Sequence, residues 1–170
     1  MDQELHPSVV RVKAALVELG GDASLVQKLD QSARTSAEAA ATLGVTAAQI
    51  VNSLIFVAHH NDQQFPVLVL ASGGHRVDPD LVASAFGVER ITKADADIVK
   101  TATGFAIGGV SPVGHLTEIP TILDLDLGLF DEVWAAGGHP YWVYPTSFSE
   151  LLKMTKANAV IVSATPLQSS

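Results

Sequence analysis

Two short runs of apolar, largely β-branched residues limit this chain's fold more than any other feature. Residues 50–58 read IVNSLIFVA and residues 65–70 read FPVLVL, with the polar stretch HHNDQQ between them. Runs of this length and composition predict buried strands, and the polar stretch predicts the loop of a hairpin. Only one strongly polar side chain with an amide, Asn52, interrupts the first run. A buried amide there must find partners.

The flanking segments predict helices and further strands. Val9, Val12, Leu16 and Leu19 fall on one helical face over residues 7–20, with Pro7 at the start and Gly20-Gly21 at the end. Residues 23–30 predict a short strand. Thr35, Ser36, Ala37 and Glu38 make a capping-box pattern before an Ala-rich helix that Gly44 ends, and Thr46 to Gln49 repeats it just before Ile50. Asp78-Pro79 opens a helix through Phe86, closed by Gly87, and residues 93–103 predict another with Ile98 and Val99 facing inward. Strands are expected at residues 119–123, 132–136, 141–144 and 159–162. A last capping box at Ser147 to Glu150 opens a helix to about residue 155, and residues 164–170 are expected to fray. The elements do not alternate as clean βαβ units. The expected class is α+β, with a mixed, mostly antiparallel sheet that curls into a barrel surrounded by helices, as one domain over residues 1–170.

Composition removes several functions. There is no cysteine, which excludes disulfides, thiolate metal sites and a Cys nucleophile. Ten Lys+Arg face 18 Asp+Glu, for a net charge of -8, so extensive tracking of a nucleic-acid backbone is not expected. Reading one RNA end remains open. No window reaches the roughly 18 apolar residues of a membrane span. The start, MDQELHPSVV, has no signal-peptide pattern, so a cytoplasmic location is expected.

The chemistry-bearing residues cluster in glycine-rich loops. Seven of the 13 glycines lie between Gly104 and Gly138, mostly in GFAIGGVSPVGH (residues 104–115) and AGGHP (residues 136–140). Glycine permits close backbone approach, and adjacent N–H groups can form an oxyanion site. The first loop is neither a P-loop nor a dinucleotide fingerprint, and both loops can equally be tight turns. Ser111 lacks the context of a nucleophile elbow and reads as a loop-fixing or substrate-binding hydroxyl. His75, His115 and His139 each adjoin a glycine turn; a metal site formed by the three is an alternative to loop or ligand contacts. His59-His60 reads as a solvated hairpin tip. Asp124 and Asp126 in LDLDL read as solvent-facing acids at a strand end, and Asp95 and Asp97 as a solvated helix start. No Lys or Arg occurs at residues 101–152, so a phosphate near these loops must be held by backbone donors or by cations from elsewhere, such as Arg34 or Arg76.

In order along the chain, RTSAEAA (34–40), LGV (43–45), QIVNSLIF (49–56), LVL with Ser72-Gly73, RVD (76–78) and TGFAIGGVSPVGH (103–115) resemble the YbaK/prolyl-tRNA-synthetase-associated domain family. The resemblance covers about residues 30 to 140, and the combination of the QIVxSLxF strand with the GGVSPxG loop is far more specific than either alone. It implies a mixed α+β barrel with surrounding helices, and an aminoacyl-tRNA deacylase that removes a mischarged amino acid from the 3′ end of tRNA in trans. It implies that backbone N–H groups of the Gly/Pro loop polarise the ester carbonyl, with water or the substrate 2′-hydroxyl assisting, and no cofactor or metal. Gly108 and Gly109 match the catalytic loop, Ser111 and Pro112 its substrate-binding part, and Gly137, beside Gly138, the second loop that faces the aminoacyl group. Arg34, Arg76 and His115 complete the expected substrate contacts. The implied partners are the aminoacylated 3′ end of a mischarged tRNA and an aminoacyl-tRNA synthetase such as prolyl-tRNA synthetase, with no membrane.

One position departs from the family. A lysine thought to contact the terminal-nucleotide phosphate usually stands where this chain has Asn52. Losing the charge-assisted part of such a contact costs on the order of 1–2 kcal/mol. Three readings stay open: Arg34 or Arg76 supplies the charge; the protein is a non-catalytic nucleotide- or aminoacyl-binding relative; or the substitution was introduced to trap a substrate. His139-Pro140-Tyr141-Trp142 after the second glycine pair is also unlike bacterial Cys-tRNA deacylases, which argues against a cysteine-specific substrate.

Overall fold

The computed structural model describes residues 5–165 and Leu167. The capping signals in the sequence act as written. Helix α1 (Pro7–Glu18) starts at His6, whose Nδ1 accepts from the Ser8 N–H, and buries Val9, Val12 and Leu16. Leu19 lies beyond its last turn and is partly exposed. Thr35 caps α2 (Ser36–Leu43), Asp78 caps α3 (Pro79–Phe86), Asp95 caps α4 (Ala96–Thr103) and Ser147 caps α5 (Phe148–Thr155), each accepting a backbone N–H from the first turn.

The expected hairpin is the centre of the sheet. Strands β2 (Ile50–His60) and β3 (Gln63–Ser72) pair antiparallel from Val51↔Ser72 to His60↔Gln63. The loop is shorter than the sequence suggests. His59 and His60 belong to β2, and only Asn61 and Asp62 turn the chain, with φ of 50° and 62°. Two successive left-handed residues are the geometry of a type I′ turn, which Asn and Asp tolerate better than most side chains.

The other strands are β1 (Gln27–Lys28), β4 (Arg90–Lys93), β5 (Thr121–Asp124), β6 (Val133–Ala136), β7 (Trp142–Thr146) and β8 (Asn158–Val160). Their order is β1-β7-β6-β2-β3-β5-β8, with β4 also on β2. Four pairings are antiparallel and three, β2–β6, β3–β5 and β5–β8, are parallel. Among the described residues the sheet is therefore mixed, with five α-helices, and its hydrogen-bonded path is open from β1 to β8; the expected closure into a barrel is not seen in the ladder. β4 was not foreseen. Residues 93–103 do not form one helix: Lys93 ends a strand, α4 begins at Ala96, and Val99 is buried while Ile98 is partly exposed.

One detail of the topology makes the site. β3 occupies one edge of β2 along nearly its whole length. The other edge is divided, with β6 on Ile50 and Val51 and β4 on Phe56 to His59. Residues 52–55 sit in the fork, without a strand partner on that side. A core of Val9, Val12, Leu16, Leu68, Leu70, Phe105 and Leu123 packs one face of the sheet, and a second cluster around Val67, Val69, Val82 and Ile122 packs the other.

The acids of LDLDL depart from expectation. Asp124 is buried at 1% exposure. Its carboxylate accepts the N–H groups of Ser72 and Asp126 and faces His75 Nε2 at 2.5 Å. The alternation with leucine predicts solvent-facing acids, but donors brought from residues 72 and 75 stabilise this one inside. Asp126 accepts the Leu167 N–H at 2.9 Å, and His75 Nδ1 lies 3.2 Å from Thr165 O, so this part of the segment expected to fray is tied down. Residues 166 and 168–170 of that segment lie outside the described residues. Among the described residues, no helix is long and apolar enough to cross a membrane.

Candidate functional site

The fork opens into a cleft of about 450 Å³. Its floor is residues 50–56 of β2. Its walls are Trp134 to Ala136 of β6, the run from Arg34 to Ser36 that leads into α2, and Ile107, Gly108 and Val110 of the first glycine loop. Asn52 thus shares a cleft with Gly108 and Arg34. The Ser36 hydroxyl donates to Asn52 Oδ1 at 2.7 Å, which leaves the Asn52 NH₂ to donate elsewhere.

The first glycine loop presents one narrow face to this cleft. Residues 106–109 form a turn closed by the Gly109 N–H donating to Ala106 O at 3.0 Å, with Gly108 at φ 91°. A positive φ at the third turn position belongs to a type II turn and favours glycine. The Gly109 N–H is therefore engaged within the loop. Among the described residues, the N–H groups of Gly108 and Val110 make no intramolecular hydrogen bond. The Arg34 side chain lies across Gly108, its Cγ 3.2 Å from where a Cβ would stand.

The remaining loop residues lie behind that face. Ser111 is fully buried and its hydroxyl accepts the Val113 N–H. Pro112 is buried beside it. The His115 Nε2 donates to Ser111 O at 2.7 Å and its ring meets Phe105 edge-on. Burial, chiefly, holds the His115 pKa below the ordinary histidine value. Burial likewise pushes the Tyr144 phenol, near Ser111, far above its usual range. Arg11, not singled out by its sequence context, braces the loop from behind: it donates to Gly114 O and Thr103 O and stacks over Phe105 at 4.3 Å.

The second glycine loop is a buttress. Its turn is closed by the Gly137 N–H donating to Trp142 O, and both Gly137 and Gly138 are buried. A Cβ on Gly109 would come within 2.9–3.1 Å of the His139 backbone, so the two loops touch there with no side chain between them. Leu29 and Ala33 donate their N–H groups to Tyr141 O and Pro140 O, which fixes the strand leading to Arg34. His139 stands between His6 and Tyr141, its pKa lowered by burial and then by the charges of His6, Arg34 and Lys28.

A second cleft of about 420 Å³ adjoins the first and shares Asn52, Leu54, Phe56 and Lys93 with it. Arg76, Ser72 and His75 line its far side. Arg34 and Arg76 therefore lie in different clefts, joined through Asn52 and Lys93. In the sequence Lys93 is one of eight cations preceding the cation-free stretch, and nothing local singles it out, because it sits where a helix is expected. His75, His115 and His139 do not converge; among the described residues the group able to offer ligating atoms together is His75, Asp124 and Asp126. Both His75 nitrogens already face Asp124 and Thr165 O.

A model of the aminoacyl-tRNA editing domain matches residues 30–154. The chain belongs to the aminoacyl-tRNA editing domain family. The editing domain is 29% identical over 139 residues to a proline–tRNA ligase of Limosilactobacillus fermentum, covering 81% of this chain but 24% of the ligase. It is 31% identical over 113 residues to the uncharacterized protein YwhH of Bacillus subtilis, covering 66% of this chain and 69% of that one. Among solved structures, one proposed as a trans-editing enzyme for prolyl tRNA synthetase aligns with TM-score 0.85 and 40% identity, over 95% of this chain and all of the other. The structure of a hypothetical protein aligns with TM-score 0.80 and 27% identity, over 89% and 98%. The editing domain thus has the YbaK-like fold of these neighbours.

Proposed function

We propose that this editing domain acts in trans on a mischarged tRNA and hydrolyses the ester at its 3′ end. The observation that carries the reading is one cleft lined by Asn52, Gly108 and Arg34, with no Asp, Glu, Cys or His among the described residues that line it. Chemistry there depends on positioned donors and a water or substrate hydroxyl rather than a side-chain nucleophile. The carbonyl oxygen takes hydrogen bonds from the N–H groups of Gly108 and Val110, a preorganised pair that stabilises the developing oxyanion. Water adds its oxygen to the carbonyl carbon, the ester C–O bond breaks, and the terminal ribose oxygen takes a proton as the free amino acid leaves. The Asn52 amide and Arg34 hold the terminal nucleotide; Gly109, Ser111, Pro112, His115, Gly137 and Gly138 shape the loop from behind. Among the described residues, Ser53 Oγ and Trp134 Nε1 have no hydrogen-bond partner, and both residues line the first cleft, so polar aminoacyl groups that reach them are favoured. Prolyl-tRNA synthetase is the partner expected to deliver the tRNA.

Asn52 in place of the family lysine supports a second reading, a binding module without turnover. A panel of mischarged tRNAs, serine- and threonine-charged ones included, separates the two when run on the wild type and on Asn52→Lys. Hydrolysis by the wild type above the buffer rate supports the deacylase. No hydrolysis by the wild type, with activity appearing in Asn52→Lys, leaves the binding module. No hydrolysis by either protein overturns the deacylase reading.

A further inference from the structure

The second cleft has a charge pattern at odds with the rest of the molecule. The chain carries 18 Asp+Glu against ten Lys+Arg. Yet among the described residues no acid lines this cleft, while Arg76 and Lys93 both do. Among the described residues neither cation is in an ion pair; the close charge pairs all involve histidines. Both cations are exposed and free to meet a ligand.

The sheet register explains why this lobe continues the first. Side chains at 52, 54 and 56 of β2 share one face, since a strand alternates its side chains. β4 pairs with Phe56 opposite Lys93, and directly opposed residues project to the same face, so Lys93 stands over the row that begins at Asn52. Asn52, Leu54 and Phe56 line both lobes, which also hold Gly108 in the first and Arg76 in the second. The apolar part of that row, Leu54 and Phe56, suits the face of a base. His75 closes the back wall; its nitrogens are directed at Asp124 and Thr165 and are not offered to the lobe.

We infer that the second lobe is a subsite for the phosphodiester backbone of the RNA nucleotides preceding the terminal one, with Lys93 and Arg76 as its phosphate contacts. The inference rests on the deacylase-site reading of the first lobe and extends it by giving the strand a path. The terminal nucleoside sits over Asn52, and the preceding nucleotides cross the second lobe, where Lys93 and Arg76 both lie. The charge that Asn52 does not provide is thereby supplied from β4 and from the turn after β3. A lobe that contacts one or two phosphates is compatible with an acidic protein, because its cations act locally.

The test uses two unacylated probes on the intact protein: adenosine, which has no phosphate, and the oligoribonucleotide ACCA. Affinities are measured by calorimetry over a series of salt concentrations. The wild type is expected to bind ACCA more tightly than adenosine. Lys93→Ala and Arg76→Ala should each weaken ACCA binding by about 5–10-fold and lower the slope of log K against log salt by about 1, with adenosine binding unchanged. Lys93→Arg should retain ACCA binding. Lys153→Ala, an exposed cation on α5, controls for net charge and should change nothing. Wild-type affinity and slope in both lobe variants would overturn the subsite while leaving the first-lobe reading intact. An equal loss in Lys153→Ala would overturn it as non-specific attraction. Failure of the wild type to bind either probe, together with no hydrolysis of the tRNA panel, would overturn the first-lobe reading and the subsite with it.

Discussion

The two glycine loops use the same residue for opposite purposes. In the loop at 104–115, Gly108 faces the cleft, and its positive φ turns the chain so that its backbone joins Ile107 and Val110 in the wall. In the loop at 136–140, Gly137 and Gly138 are buried, and Gly138 sits where a Cβ would stand 2.7 Å from Ser8 O. The first loop uses glycine for access and the second for packing. Gly109 belongs to the first loop by sequence but to the second by role, since it is the point where the loops touch.

Gly109→Val should have the largest effect. Its side chain must displace the His139 backbone, which cannot yield as a flexible side chain would. We expect kcat/KM for deacylation to fall about 100-fold or more, with a loss of stability of about 2–3 kcal/mol, read by denaturant unfolding beside the activity assay. Gly138→Ala comes next and is expected to act on stability first: strain at φ 101° and the collision with Ser8 should cost about 3 kcal/mol, visible as a lowered Tm. If activity per folded molecule fell while Tm held, the second loop would be touching substrate and the contrast would fail.

Gly108→Ala should be milder in stability and more selective for activity. Its Cβ meets only the movable Arg34 stem, so the cost is mainly about 1–2 kcal/mol of backbone strain, with activity reduced about tenfold. The smallest effect concerns pH. His115 titrates below its ordinary value of 6.5 because of burial, so the unfolded chain takes up this proton first as pH falls. Its contribution to stability is present above that value and declines as pH drops from about 6.5 towards the folded pKa. Unfolding curves at pH 7 and pH 5 should therefore differ more in the wild type than in His115→Gln, while an equal dependence would show that His115 does not carry it.

Local signals were legible and non-local ones were not. Caps at Thr35, Asp78, Asp95 and Ser147 and the β2–β3 hairpin depend on neighbouring residues, and all appear in the structure. β4 was hidden because four residues, RITK, carry too little periodicity, and its pairing partner lies in β2. Asp124 was misread for a related reason: the donors that bury it come from residues 72 and 75. At the site, motif matching brought Asn52, Gly108 and Arg34 to attention, and they share a cleft. It could not tell which glycine faces that cleft and which supports it, because that depends on contacts such as Gly109 against His139.

The division of one edge of β2 between β6 and β4 also bears on how the protein folds. The hairpin of β2 and β3 closes a two-residue turn and can form early. The pairings of Ile50 with Trp134 and Val51 with Ala135 join segments far apart along the chain, so they carry a larger loop-closure cost and belong late in the order of events. The first cleft lacks the wall supplied by Trp134 to Ala136 until they form. A collapsed intermediate with its central hairpin in place would retain secondary structure but have an incomplete first cleft. Recovery of ligand binding should accordingly lag behind recovery of far-ultraviolet circular dichroism during refolding.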